Sequence, residues 1–170
     1  MQLAFTSSSL ILANYILPID EDVKCIRRLS VEVKLSDLTL AVDFSSSGMS
    51  FDSCAYLNRY SGKIVYTGDL VDDDEIPNDL YDNADYLEIP SKQDMNMGKR
   101  LVLSFAADYL PEHFETVQAI FSRSGAYRRF KVLLEQTDKL EQWYKYEQDA
   151  VSSELIAWCQ VNEVKVKIDV

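Results

Sequence analysis

Between Leu101 and Trp158 the apolar residues recur at helical spacing, whereas from Val164 onward they alternate with polar ones. That change of period confines the chain to helices followed by a strand. Leu101, Phe105 and Tyr109 step by four along one face. Pro111 suits the first position of a new helix, with Glu112 and Glu115 near its positive end, and Phe114, Val117 and Phe121 form the stripe to be buried. Ser124–Gly125 interrupts, and a further helix is expected from about Ala126 to Gln136. Asp138 with Glu141 has the form of a capping box for a long last helix reaching about Gln160. Its stripe is expected to hold Leu140, Trp143, Tyr144, Val151, Leu155 and Trp158. In the closing VKVKIDV, Val164, Val166, Ile168 and Val170 alternate as in a half-buried strand.

The first half of the chain carries turn and strand signals. Ser36 is placed to cap a short helix with Leu38, Ala41 and Val42 on its inner face and Leu35 as a staple. CAYLNRYSGKIVYTG reads as a hairpin turning at Asn58–Gly62, and YLEIP, residues 86–90, as another short strand closed by Pro90. Ser91 with Asp94 predicts a capping box that opens a helix running to Leu110. The expected class is α+β, a small, mainly antiparallel sheet with a helical subdomain of about four to five helices. A length of 170 residues suits a single domain, 1–170. The apolar stretch Leu10–Ile19 is too short to span a bilayer, which takes about 20 apolar residues. It also lacks the basic flank of a secretory signal, so it reads as a strand or an extra segment packed on the domain.

Residues 123–130, RSGAYRRF, imitate the strand motif of an RNA-recognition domain at Arg123, Ala126, Tyr127 and Phe130. As a strand, the segment would put Arg128 on the same face as Ala126, Phe130, Val132 and Leu134. As a helix, Ala126, Tyr127, Phe130, Leu133 and Leu134 share one arc, with Arg128, Lys131 and Glu135 opposite. The helix separates apolar from charged side chains, and the base-stacking motif requires a strand. The similarity is one of letters.

GAYRRFKVLL followed by WYKYEQDAVSSELIAWC resembles the carboxy-terminal signature of an uncharacterised bacterial protein family, a GA-aromatic-RRFK helix and then a W-aromatic-x-aromatic helix. AYLNRYSGKIV is similar to that family's hairpin, with Asn58 and Ser61 replacing its acid and threonine. The likeness covers roughly Leu35 to Val164 and implies a family-like core over 35–170, with 1–30 as an extension. It implies a bacterial cytoplasmic setting and no particular activity. Three scattered cysteines, Cys25, Cys54 and Cys159, agree with a reducing compartment.

No nucleophile, metal or phosphate-binding motif occurs, so no catalytic residue, metal ligand or cofactor is expected. His113 reads as a first-turn surface residue and Cys159 as packing. The strongest compositional feature is acidic. Residues 69–85 hold eight Asp or Glu side chains and no Lys or Arg, in a chain of net charge −11. Pro77 and the missing glycine rule out a calcium loop there. Such a run reads as a solvated, irregular loop; its functional form is a surface for a basic protein partner, with Asp72, Asp73, Asp74 and Glu75 as contacts and Tyr81 as an anchor. The alternative is a nucleic-acid-associated protein using Arg128 and Lys131, with Arg123 and Lys139, as a phosphate patch, which the net charge disfavours. No membrane partner is expected. Glu147 falls within the apolar stripe of the last helix, and Arg129 at the edge of its own helix's stripe. A structural Arg129–Glu147 ion pair is expected to lock the two helices, with Glu154 as the other possible acceptor.

Overall fold

The computed structural model describes residues 31–47, 53–69 and 71–169. The Leu10–Ile19 segment and the proposed extension lie outside them. In chain order the elements are β1 (Glu32–Lys34), α1 (Leu35–Ser46), β2 (Cys54–Asn58), β3 (Ile64–Thr67), β4 (Tyr86–Glu88), α2 (Lys99–Tyr109), α3 (Phe114–Ile120), α4 (Ala126–Gln136), α5 (Leu140–Val161) and β5 (Lys165–Lys167). Short 3₁₀ turns stand at Asp73–Glu75 and Pro111–His113. The class is α+β. β2 is central in a three-stranded antiparallel sheet of order β3-β2-β4, with Tyr56 opposite both Val65 and Glu88. The last strand does not join that sheet. β5 pairs in parallel with β1, setting Val33 beside Val166. Its outward end departs from the expected alternation, since Ile168 is 63% exposed.

The hairpin forms where the turn residues predict it. Asn58 Oδ1 accepts from the Tyr60 and Ser61 amides at 3.2 and 2.9 Å and from the Ser61 hydroxyl at 3.0 Å. Gly62 then takes φ 72°, and a Cβ there would stand 3.1 Å from Val31 Cγ1. Both the left-handed backbone and the close approach call for glycine.

Helix ends account for most departures from the sequence reading. α1 starts one residue before Ser36, which therefore sits inside the first turn. The cap comes from the far end of the chain: Asp169 accepts from the Ser36 amide at 3.1 Å and its hydroxyl at 2.7 Å. The β1–β5 pairing carries Asp169 to this position. The Ser91–Asp94 box forms as expected, with the Asp94 carboxylate 2.6 Å from the Ser91 hydroxyl and 3.0 Å from its amide. It encloses one turn rather than a long helix. Asn96 adopts φ 57°, the Met97 amide donates back to Lys92 and the Asn96 amide to Gln93. That is the Schellman closure, and α2 begins only after Gly98. The same closure ends α4 at Asp138, φ 55°, with Lys139 bonded back to Leu134. Asp138 thus terminates one helix instead of capping the next, and no side chain caps α5. Glu163, φ 56°, closes α5 in the same way, with Val164 bonded back to Cys159.

Two cores result. The first joins Val33, Leu38, Ala41 and Val42 to Ala55 and Leu57 of the sheet and to Val151, Leu155, Cys159 and Val164. The second is largely aromatic. Phe105 meets Trp143 edge-on at 5.2 Å, Tyr146 at 5.3 Å and Phe130 at 6.4 Å, with Val102, Val117 and Leu134 around them. α5 feeds both, through Trp143 near its start and Val151, Leu155 and Cys159 further on. Tyr144, expected on the buried stripe, is 44% exposed, and Cys159 occupies the inner face instead. On α2, Val102, Phe105 and Ala106 are buried while Tyr109 lies at the edge.

Two outcomes are expected from these helix ends. Asp169 has its pKa held below the usual carboxylate value by the Ser36 hydroxyl and then the Ser36 amide. A depressed folded pKa contributes stability above the unfolded value of about 3.9, lost as pH falls through the folded one. Asp169→Ala is therefore expected to lower the thermal midpoint at pH 7, with the deficit shrinking below about pH 4; calorimetry across that range checks it. Glu163→Gly removes left-handed strain at an exposed position and is expected to stabilise by about 1 kcal/mol, raising the midpoint by about 2–4 °C.

Candidate functional site

Residues 71–85 of the acidic run form a turn-rich strap leading to β4. Alternation along β2 and β3 turns Ala55 and Leu57 inward, so Tyr56, Val65 and Thr67 look out from the opposite face of the sheet. Val65 and Thr67 are nonetheless buried. On that face Tyr81 of the strap meets Tyr56 edge-on at 5.9 Å, and its neighbour Leu80 is 2% exposed. Its path is held by short-range bonds. The Leu80 amide donates to Pro77, the Asn83 amide and side chain to Asp79, and the Asp85 amide to Asn83 Oδ1 at 2.9 Å. The Arg59 amide donates to the Asp85 carbonyl, and the Arg59 guanidinium to the Asn162 carbonyl just past α5, both at 2.9 Å.

The expected contact residues fall on this strap. Asp72, Asp74 and Glu75 are exposed, Asp73 lies in the 3₁₀ turn, and Tyr81 is 72% exposed. Asp79 and Asp82 are exposed as well. The expectation of a solvated, irregular segment holds for the carboxylates and for the scarcity of regular structure. It fails for Leu80, which is buried. Burial, then the charges of Glu88, Cys54 and Tyr81, pushes the Tyr56 hydroxyl up to about 12, so it stays a neutral phenol under the strap. Beside the strap lies a groove of about 600 Å³ lined by Leu40, Phe44, Tyr66, Val71, Asp72 and Glu75, which the sequence reading did not single out.

Arg128 and Lys131 are exposed on α4, a helix of the aromatic core, as the periodicity predicts. The helical state removes the RNA-motif geometry. The Arg129–Glu147 pair is not formed. The Arg129 guanidinium donates to the carbonyls of Ile120, Arg123 and Ser124 at 3.3, 3.2 and 2.7 Å. It thereby caps the negative end of α3 and braces the turn at Gly125, φ 70°. Glu147 faces Lys92 instead, at 3.7 Å, and Lys92 also meets Asp43 at 3.0 Å. Burial by itself would lower the Lys92 pKa, but Asp43 and Glu147 together raise it. Since the Lys92 amide donates to Ser46 Oγ at 2.9 Å, one residue ties the 91–97 turn to both α1 and α5. Sequence spacing contains no signal for this, as 43, 92 and 147 belong to separate elements.

Lys92 lines two clefts. The larger, about 770 Å³, is lined by Ser46, Asn96, Gly98, Lys99, Arg100 and Tyr127 among others. Among the described residues no cluster of three or more His, Cys, Asp or Glu is arranged to hold a metal ion. Cys159 is fully buried, and burial pushes its thiol up to about 11, which suits packing. Double-mutant cycles separate the two pairings: Lys92→Met with Glu147→Leu is expected to couple by about 0.5 kcal/mol, as partly exposed ions do. Arg129→Met with Glu147→Leu is expected to be additive.

Among the described residues no helix is long and apolar enough to cross a membrane. No curated protein and no solved structure matches the chain. The family model described as Uncharacterised protein family (UPF0158) matches residues 33–169, from β1 to the Asp169 cap, and the chain belongs to that family.

Proposed function

We propose that this chain is a non-catalytic protein-interaction or regulatory domain of the bacterial cytoplasm, whose acidic strap meets a basic protein partner. The observation that carries the reading is the anchoring of the strap: Leu80 is buried and Tyr81 meets Tyr56 edge-on, with the exposed Asp79 and Asp82 beside them in the chain. A charge run on a mobile loop would lose conformational entropy on binding, whereas an anchored one has less left to lose. Tyrosine supplies contact area at an interface centre, and the carboxylates steer a cationic partner and repel polyanions. Net charge −11 works in the same direction. The basic residues of α4 give the nucleic-acid reading no comparable support, because they share the molecule with this field.

The test immobilises the full chain and captures partners from bacterial lysate with and without nuclease. Protein capture is expected to survive nuclease, to weaken with salt, and to be lost when Asp72→Asn, Asp74→Asn, Glu75→Gln and Tyr81→Ala are combined. Capture that disappears with nuclease, or that ignores the combined variant, overturns the reading.

A further inference from the structure

The groove beside the strap adds a feature that charge alone does not supply. α1 buries Leu38, Ala41 and Val42, and its other side presents Leu40 and Phe44, one turn apart. Leu40 is 63% exposed, and it shares the groove with Phe44, Tyr66 and Val71. Phe44 stands edge-on to Tyr66 of β3 at 4.8 Å, and Val71 closes the opposite wall. The floor is therefore apolar. The rim carries Asp72 and Glu75 of the strap, and Asp37 stands exposed one turn before Leu40 on α1. Among the described residues no Lys or Arg lines the groove.

We propose that this groove docks a basic segment of a partner protein, seating one large apolar side chain between Leu40 and Val71 with Lys or Arg beside it facing Asp37, Asp72 and Glu75. The proposal rests on the interaction reading and deepens it, by adding a site that selects among basic partners. Charge complementarity decides the occupant. An acidic segment, an anionic lipid surface or a nucleic acid meets like charge at the rim, and a second copy of this chain brings its own −11. Apolar anchoring supplies what a bare polycation lacks. Rim contacts between exposed ions contribute little each and are screened by salt, while a desolvated anchor is not.

The experiment titrates the full chain with three labelled synthetic peptides: leucine and lysine at helical spacing, oligolysine of equal length, and leucine with glutamate. Four proteins are compared, the parent, Leu40→Gln, Asp72→Asn with Glu75→Gln, and Tyr81→Ala. Leu40 is exposed, so Leu40→Gln is expected to fold as the parent does, which the thermal midpoint verifies. The leucine–lysine peptide is expected to bind the parent best and to lose about tenfold on Leu40→Gln, the scale of one buried aliphatic side chain. Oligolysine is expected to bind weakly and to ignore Leu40→Gln while responding to the acid-neutralised variant. If the leucine–lysine peptide ignores Leu40→Gln but weakens on acid neutralisation, the groove assignment is overturned and the acidic-surface reading stands. If neutralisation affects neither peptide, or the leucine–glutamate peptide binds as well, charge matching fails and both readings fall.

Discussion

Everything in this molecule is hung on α5. Twenty-two residues of continuous helix carry Trp143 into the aromatic core and Val151, Leu155 and Cys159 into the core beneath the sheet. Neither core closes without it. The sheet is only three short strands, and its inner face is covered by α1 and α5. α2 and α4 meet through Phe105 and Phe130, each of which also touches Trp143. A helix this long has to stop at a defined place, because the chain must turn at once to bring β5 beside β1. The left-handed Glu163 and the bond from Val164 back to Cys159 provide that stop, and both residues of the bond belong to the same core.

The ends of the chain's described part are coupled through that turn. β5 lies beside β1, and two residues beyond β5 the Asp169 carboxylate reaches the start of α1. One closure therefore positions a strand pair and a helix cap together. Fixing α1 matters for the surface, since its outer side supplies Leu40 and Phe44 to the groove while its inner side is core. Burial of one face thus determines how the other is presented, and the strap, pinned through Leu80 and Tyr81, determines the groove's second wall.

Charge is distributed by the same logic. Two arginines do local work: Arg129 satisfies carbonyls at the end of α3, and Arg59 a carbonyl past the end of α5. Lys92 joins three separated elements. The strap contains no cation of its own, so its acidity is presented outward.

By itself the sequence determined whatever depends on local period and turn chemistry. The helices from α2 to α5, the hairpin at Asn58–Gly62, the β4 strand, the α+β class and the rejection of an RNA-binding strand at 123–130 all rest on side-chain spacing within one element. So does the inward placement of Phe130, Leu134, Trp143 and Leu155. Only the tertiary structure decided the long-range partners. Asp169 rather than Ser36 caps α1, and Lys92 rather than Arg129 faces Glu147, because strand pairing and helix packing choose which charges meet. Likewise the acidic run reads as a solvated loop until the fold buries Leu80. An isolated leucine between carboxylates shows no periodicity, and whether it is covered depends on a surface built from residues before and after it in the chain.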